Sequence, residues 1–263
     1  MTTKTKSTPL ILITNDDGYT AKGIHVLAEI AMKIGEVVVV SPEGPKSAQS
    51  HSITVKDPVR FYEKKLHSGY KTYACTGNPA DCVKIGIHEI LDRKPDLILS
   101  GVNHGSNLSA SIFYSGTIAG AIEGCLNQIP SIAFSHEDHH QKPDYSAVEQ
   151  YIPIIIEKFL ANPLGVGYCL NVNFPSSRAE DIVGLKIART ADGYWKEKFL
   201  KRSDPFQHDY YWLTGEFINN EPQSIDTDIW AYDHNYVTVV PIHLDLTAHQ
   251  LIESMRVTWE AKK

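Results

Sequence analysis

Hydrophobic positions along the first two thirds of the chain alternate between a strand-like and a helix-like pattern. Residues 9–14 form a continuous apolar and β-branched run, which is typical of a strand buried on both faces. In residues 23–34 the apolar side chains recur on one helical face, and Gly35 ends the predicted helix. The alternation continues, with strands predicted at 37–40, 53–55, 59–62, 71–75, 96–100, 131–134 and 168–173 and helices at 78–91, 115–127 and 145–160.

This alternation predicts an α/β fold built on a doubly wound, mainly parallel sheet. The rhythm changes after residue 187, and aromatic and polar residues then dominate 194–217 in a hairpin-like pattern without a helical period. A strand at 236–242 and a helix at 248–261 are predicted to follow. We therefore predict an α/β domain at residues 1–189. Residues 190–263 are predicted to form a β-rich oligomerisation arm with a returning strand and a terminal helix.

Composition narrows the class of protein. The chain has 263 residues, of which 42% are hydrophobic and 21% charged, so it can bury a core without disulfides and is not a disordered chain. A formal net charge of −6 argues against a nucleic-acid polymer as a partner. The sequence has no long uncharged apolar run and no signal-like leader, and its four cysteines match no zinc pattern. We expect reduced thiols and a cytoplasmic protein that does not enter a membrane.

Polar residues follow the predicted strands at the carboxyl ends, where open parallel sheets bind ligands. Asp16 and Asp17 come directly after the first strand, and adjacent carboxylates in such a place need a compensating cation. Taken alone, the pair is more often an Asp-Asp turn with a hydrogen bond into the next helix. Ser47 and Asn103 add neutral oxygens after other strands. The combined oxygen set favours magnesium, manganese or calcium.

Two further segments are suited to an anion. Residues 101–113 are predicted to be a long polar loop whose first part is rich in small residues, which lets backbone amides approach a ligand. Ser115-Gly116-Thr117 opens a predicted helix, where free amides and hydroxyls bind anions. For Ser115 alone a plain N-cap is the more frequent role. Beside a metal site, phosphate binding becomes the better interpretation.

Several familiar signatures are missing from the sequence. It lacks the Gly-x-Gly-x-x-Gly, P-loop and Gly-x-Ser-x-Gly motifs, so dinucleotide binding, P-loop and serine-hydrolase chemistry have no support. The acidic, histidine-rich cluster at 136–140 is expected to be a solvated loop rather than a metal site. The aromatic run at 210–212 is expected in the core or interface of the arm. Four histidines stay open as proton-transfer candidates, although each is more often a packing residue: His51, His104, His243 and His249.

Six segments carry a resemblance to a known family. They are 13–18 (Ile13-Thr14-Asn15-Asp16-Asp17-Gly18), the loop 42–54 with Ser47, and residues 77–82, 100–107, 114–123 and 241–249. In this order they resemble the SurE family (survival protein E) of metal-dependent 5′/3′-nucleotidases, nearly end to end. The resemblance implies that residues 1–189 form a Rossmann-like catalytic domain. It also implies that the C-terminal β-hairpin arm and helix are exchanged between the subunits of a homodimer or homotetramer.

The resemblance also implies a site. The ligands of one divalent metal ion per subunit, Mg²⁺ or Mn²⁺, would be Asp16, Asp17, Ser47 and Asn103. The phosphate would be bound by Asn107, Ser115, Gly116 and Thr117. Departures from the family pattern bear on substrate preference more than on metal binding: Ala48 replaces the usual Gly, His51 replaces a common Asn, and residues 109–111 (Ser-Ala-Ser) replace a more acidic stretch.

The implied function is hydrolysis of nucleoside 5′-monophosphates, with 3′-monophosphates as second substrates. The products would be nucleoside and phosphate, formed by metal-assisted attack of water, with Asp16, Asp17 and Asn107 as catalytic residues. Two alternatives stay open. One is a short-chain exopolyphosphatase, and the other is a metal-dependent nucleotide-binding regulatory protein in which the same loops bind without turnover.

Overall fold

The computed structural model describes residues 8–66, 69–137 and 143–260. In these residues the strands are β1 Leu10–Thr14, β2 Glu36–Pro42, β3 Phe61–Lys64, β4 Lys71–Cys75, β5 Leu97–His104, β6 Ser131–His136, β7 Tyr168–Phe174, β8 Gly184–Ile187, β9 Gly193–Ser203, β10 Asp209–Asn219 and β11 Tyr236–His243. The helices are α1 Lys22–Ala31, α2 Pro79–Ile85, α3 Gly116–Leu126, α4 Ser146–Ala161, α5 Asp228–Asp233 and α6 His249–Trp259. A 3₁₀ turn at Ser109–Tyr114 and a π-helical turn at Gly86–Ile90 are also present.

Over the described residues, nine strands form one sheet in the order β3-β4-β2-β1-β5-β6-β7-β11-β8. The pairs are parallel except β3–β4 and β7–β11, which are antiparallel. The chain builds outward from β1 through β2 and β4 in one direction, and from β5 through β6 and β7 in the other. The boundary between β1 and β5 is therefore the topological switch point of the sheet. The predicted α/β fold with a doubly wound, mainly parallel sheet is confirmed.

Helices cover both faces of the sheet because β1 is apolar on both sides. Its successive side chains point to opposite faces. On one face, Ile11 and Ile13 belong to a buried cluster with Ile24 of α1 and with residues of α4. On the other, Leu10 and Leu12 pack in a second cluster with residues of α2. The rigid strand ends that result carry the loops of the site.

The structure corrects the predicted elements at four places. Residues 53–55 are not a strand, because the backbone N–H and hydroxyl of Thr54 donate hydrogen bonds to the Asp81 carboxylate instead. The strand expected at 59–62 lies at Phe61–Lys64. The strand expected to end at residue 100 continues to His104 through a register shift against β6, so the polar loop is shorter than predicted. The helix expected at 78–91 changes from α to π geometry at Gly86.

The C-terminal part contains the expected hairpin and two elements that were not predicted. β9 and β10 pair antiparallel from Gly193–Asn219 to Ser203–Asp209. The unpredicted β8 pairs with β11, and the unpredicted α5 precedes β11 in the chain. The aromatic run at 210–212 is exposed on the hairpin, so it is not part of a core. Within the described residues, no helix is both long enough and apolar enough to cross a membrane.

Candidate metal and phosphate site

Loops from three neighbouring strands meet at the switch point. The turn after β1 carries Asp16 and Asp17, the loop after β2 carries Ser47, and the end of β5 carries Asn103. An open cleft of about 400 Å³ lies there. Its lining residues are Asp16, Ser47, Ala48, Asn103, His104, Asn107, Ser111, Tyr114, Ser115, Trp195, Glu197 and Leu213.

The turn after β1 is closed by Asn15 and not by an aspartate. Asn15 Oδ1 accepts a hydrogen bond from the backbone N–H of Gly18 at 3.2 Å, and Asn15 Nδ2 donates to the Gly18 carbonyl at 3.0 Å. The carboxylates of Asp16 and Asp17 therefore do not take part in these hydrogen bonds. The alternative interpretation of the pair, an Asp-Asp turn with a hydrogen bond into the next helix, does not describe this structure, because the Asp16 and Asp17 carboxylates accept hydrogen bonds from Thr117 and His104 instead.

Asp16 and Asp17 are held in an environment that opposes their charge. Asp16 is 5% exposed, and burial, helped by the charge of Asp17, raises the pKa of Asp16 to about 6 although the Thr117 hydroxyl donates to its carboxylate. Burial also raises the pKa of Asp17, whose Oδ2 accepts the backbone N–H of His104 at 3.1 Å. A bound cation would offset the cost of burying these adjacent charges.

Helix α3 begins in contact with Asp16. A Cβ added to Gly116 would lie 2.8 Å from the Asp16 Cβ and 3.0 Å from its Oδ2, so only glycine permits this approach. Ser115 is the N-cap, as predicted, and its Oγ accepts the N–H of Ile118 at 3.0 Å. The Ser115 hydroxyl hydrogen stays available to a ligand in the cleft. The hydroxyl and the backbone N–H of Thr117 are both engaged by the Asp16 carboxylate, so the backbone N–H of Gly116 is the group left at this helix start that could face an anion.

Ser47 and Asn103 bring neutral oxygens to the same cleft. The loop after β2 is joined to the turn after β1 by a hydrogen bond from the backbone N–H of Lys46 to the backbone carbonyl of Asp16, at 2.7 Å. Asn103 donates from Nδ2 to the carbonyl of Gly105 at 2.8 Å, which orients the amide and leaves its Oδ1 as a possible ligand.

This donor set fits a hard divalent cation. Carboxylate, hydroxyl and amide oxygens converge on the cleft, and Mg²⁺ and Mn²⁺ prefer oxygen ligands. Throughout the part of the chain that the structure describes, no three His, Cys, Asp or Glu side chains converge, so a zinc site of the usual kind does not arise there. Of the predicted ligands, Asp16, Ser47 and Asn103 line the cleft, whereas Asp17 is not among its lining residues. Their binding of Mg²⁺ or Mn²⁺ stays a prediction.

A buried hydrogen-bond network fixes Asn107. Its backbone N–H donates to Asn173 Oδ1 at 2.7 Å, its Nδ2 donates to Ser135 Oγ at 2.7 Å, and its carbonyl accepts from Asn171 Nδ2 at 2.8 Å. Asn173 in turn donates to Asn171 at 3.1 Å. Sequence reasoning missed these two asparagines. The available signal was Asn-x-Asn inside the apolar strand β7, where a polar side chain is costly unless it is hydrogen-bonded.

Comparison with known proteins assigns the family. The model of a family described as Survival protein SurE matches residues 11–197, well over half of the chain. This chain belongs to the SurE family. The 5′-nucleotidase SurE of Christiangramia forsetii is 45% identical over 252 residues, which cover 95% of this chain and 96% of that protein. The 5′-nucleotidase SurE of Flavobacterium psychrophilum is 45% identical over 258 residues, covering 98% of this chain and 100% of that one.

A solved structure agrees with this SurE assignment. The crystal structure of the SurE protein from Aquifex aeolicus superimposes with a TM-score of 0.81 at 38% sequence identity, and the match covers 95% of this chain and 99% of that one. The resemblance inferred from six sequence segments is confirmed.

In this SurE protein the hairpin also reaches the cleft, which the sequence did not suggest. Trp195 and Glu197 of β9 line it. The buried Asp228 connects the base of the hairpin to the loop after β5, because its Oδ2 accepts the N–H of Ser109 and its Oδ1 accepts the N–H of Ala191, both at 2.9 Å. Such a contact between distant segments leaves no periodic signal in the sequence.

The candidate histidines of this SurE protein separate into two groups. His104 lines the cleft. The other three contact partners elsewhere: His51 bonds to Glu123 at 3.0 Å, His243 stacks on Tyr168, and His249 pairs with Asp245. Of the cluster at 136–140, His136 is buried and lies 2.9 Å from the Asp144 carbonyl, while residues 138–140 lie outside the described residues.

Proposed function

We propose that this SurE protein is a metal-dependent 5′-nucleotidase, a phosphoric monoester hydrolase that acts on nucleoside 5′-monophosphates and, as second substrates, on 3′-monophosphates. The observation that carries the proposal is the contact between the buried carboxylate of Asp16 and the first turn of α3, at Gly116 and Thr117. An anion at this helix N terminus would lie beside a cation held by Asp16. The relatives named 5′-nucleotidase SurE, which match over nearly the whole chain, support the same activity.

One Mg²⁺ or Mn²⁺ ion per subunit would be held by Asp16, Asp17, Ser47 and Asn103. When bound, such an ion supplies positive charge to phosphoryl oxygens and lowers the pKa of a bound water. The two aspartates provide the negative charge of the ligand set, and the neutral oxygens of Ser47 and Asn103 complete it without adding further charge.

The phosphate is bound by neutral donors. The Ser115 hydroxyl and the backbone N–H of Gly116 donate to the phosphate oxygens. Thr117 fixes the Asp16 carboxylate beside the phosphate, through its hydroxyl and its backbone N–H. Asn107 uses one Nδ2 hydrogen for Ser135 and offers the other to the phosphate. Because the buried network holds Asn107 in place, these donors need little reorganisation as charge develops on the phosphoryl group.

Hydrolysis then needs one water molecule and no covalent intermediate. The water oxygen forms a bond to phosphorus while the bond from phosphorus to the nucleoside oxygen breaks. A carboxylate oxygen of Asp16 or Asp17 accepts the proton that the attacking water loses. The leaving alkoxide takes a proton from solvent, which gives the nucleoside and inorganic phosphate.

Single substitutions of the aspartates test this proposal. Asp16→Asn and Asp17→Asn are expected to lower kcat/KM for a nucleoside 5′-monophosphate by at least about 100-fold with Mn²⁺ or Mg²⁺, since each removes a charged ligand. Asp92→Asn, at an exposed position outside the cleft, is the matched control and should leave kcat/KM unchanged. Full activity in either aspartate variant would refute the assignment.

A substrate panel separates the alternatives. Phosphate release should be measured from 5′- and 3′-monophosphates of the four bases and from short polyphosphate, each with Mg²⁺ and with Mn²⁺. A preference for nucleotides is expected. A preference for polyphosphate would instead assign an exopolyphosphatase, and nucleotide binding without phosphate release would assign a regulatory binding protein.

We also infer that the arm at residues 190–263 makes the protein a homodimer or homotetramer by exchange between subunits. The support is the exposure of large apolar side chains on the hairpin, among them Phe199, Tyr211 and Trp212. Light scattering at micromolar concentration should give a multiple of 29.4 kDa, and a monomer alone would contradict the inference. We also propose a cytoplasmic location, because the four widely spaced cysteines match no disulfide framework.

A further inference from the structure

One face of the β9–β10 hairpin forms a wall of the cleft. Side chains two residues apart on a strand share a face, so Trp195 and Glu197 point to the same side. Leu213 of β10 lies directly opposite Phe199 in the antiparallel register and therefore belongs to this face as well. Trp195, Glu197 and Leu213 all line the cleft that contains Asp16.

The base of the hairpin is fixed to the site. Besides the contacts of Asp228 with Ser109 and Ala191, the Ser109 hydroxyl donates to the Ala191 carbonyl at 2.8 Å. Arg189 makes hydrogen bonds of 2.6 Å to both carboxylate oxygens of Glu221, so the two ends of the hairpin are joined as well. Trp195 and Glu197 therefore keep a defined position over the loop that follows β5.

The chemistry of this wall differs from that of the phosphate end. Trp195 is 43% exposed and forms a T-shaped pair with Phe217, with 5.7 Å between ring centroids. Since Trp195 also lines the cleft, its indole is an aromatic surface within reach of a ligand there. A purine or pyrimidine stacks on such a surface, whereas a phosphate chain gains nothing from it. The Glu197 carboxylate accepts hydrogen bonds from neutral N–H and O–H groups and repels further phosphate charges.

We propose that Trp195 and Glu197 are specificity residues that select a nucleoside over a polyphosphate chain as the group attached to the scissile phosphate. Trp195 stacks against the base, and Glu197 accepts a hydrogen bond from an N–H of the base or an O–H of the ribose. This inference rests on the proposed nucleotidase function and goes beyond it, because it identifies the part of the cleft that recognises the leaving group.

Variants of the two residues test the inference in the full-length protein with Mn²⁺ present. Trp195→Leu should lower kcat/KM for AMP by about 5- to 50-fold, and Trp195→Phe should restore most of the loss because it keeps a flat ring. Glu197→Gln should lower the inhibition constant of tripolyphosphate, measured against AMP hydrolysis, by about 3-fold or more. Neither Trp195→Leu nor Trp195→Phe should change that inhibition constant by more than 2-fold.

Matched controls lie on the opposite face of the same hairpin. Tyr194 and Glu216 do not line the cleft, so Tyr194→Leu and Glu216→Gln should leave both constants within 2-fold of the wild type. If the wild type hydrolyses AMP and the variants at 195 and 197 behave like these controls, the specificity inference is overturned while the nucleotidase proposal stands. If the wild type releases no phosphate from any nucleotide, the proposed function itself fails.

Discussion

Replacing Gly116 with alanine tests whether the start of α3 positions the metal-binding carboxylate. The added Cβ would lie 2.8 Å from the Asp16 Cβ, which is well inside the 3.4 Å at which ordinary van der Waals contact begins. Asp16 has little room to retreat, because it is 5% exposed and hydrogen-bonded to Thr117. The overlap is therefore relieved only if α3 and the turn at Asp16 move apart, and we expect this to displace the carboxylate by roughly 0.5 Å or more, which is the tolerance of a functional site.

The expected result is a loss of metal affinity that exceeds the loss of stability. A displaced ligand of this kind costs about 10- to 100-fold in metal affinity or activity. Mn²⁺ binding should be measured by calorimetry, phosphate release at several Mn²⁺ concentrations, and stability by urea unfolding without metal. The alanine itself favours the helix slightly, which offsets part of the steric cost in the unfolding measurement.

Two other glycines provide the controls. Gly120→Ala, on the same helix, would place its Cβ 2.6 Å from Ser100 Oγ and should destabilise the protein by about 1–3 kcal/mol without a selective loss of metal binding. Gly44→Ala has no atom within 4 Å of its added Cβ and should change neither quantity. The reasoning is refuted if Gly116→Ala binds Mn²⁺ within 2-fold of the wild type, or if Gly120→Ala loses as much affinity.

Two further substitutions probe the supports of the site. Asp228→Asn should lower the free energy of unfolding in urea by about 2–3 kcal/mol, because an amide cannot accept all the hydrogen bonds that the buried carboxylate receives. A change below 0.5 kcal/mol would contradict this prediction. Glu123→Gln should cost about 2 kcal/mol at pH 7, since Glu123 is buried between Lys84 and His51. Burial alone would raise the pKa of Glu123, but the hydrogen bonds from His51 and Lys84 bring this pKa below its ordinary value of 4.5. The ionised carboxylate therefore stabilises the fold above pH 4.5, and this stabilisation is lost as the pH falls through the folded-state pKa. The difference between wild type and Glu123→Gln in unfolding free energy should shrink below pH 4.5, and a constant difference down to pH 3 would count against the assignment.

The sequence predicts those parts of the site that depend only on the order of apolar and polar residues within one short segment. Residues 9–14 are apolar without interruption, so a buried strand followed at once by Asp16 and Asp17 could be inferred, and parallel strand ends meet at one edge of a sheet. The N-cap role of Ser115 was equally local. These inferences need only the period of the side chains and the chemistry of the residue that follows.

The parts that the sequence does not predict depend on contacts between distant segments. Thr54 bonds to Asp81, 27 residues away, and a strand-like tripeptide therefore does not join the sheet. β5 continues past Gly101, which has φ of +130° and lies so close to β6 that an added Cβ would be 2.2 Å from the Phe134 carbonyl oxygen. Trp195 reaches the cleft because Asp228 binds the loop at Ser109, 119 residues away in the chain. Periodicity carries no information about such pairings.

The central place of β1 in the sheet has a consequence for the order in which the protein assembles. Thr14 pairs with Ser100, and the N–H of Leu10 donates to the Asp96 carboxylate 86 residues later, so β5 must close a long loop before Asn103 can approach the two aspartates. During synthesis the carboxylates emerge well before the last of the proposed ligands. A cation bound as proposed would therefore meet a complete ligand set only after most of the sheet has formed. It would slow the unfolding of the finished protein while leaving the early steps of folding unchanged.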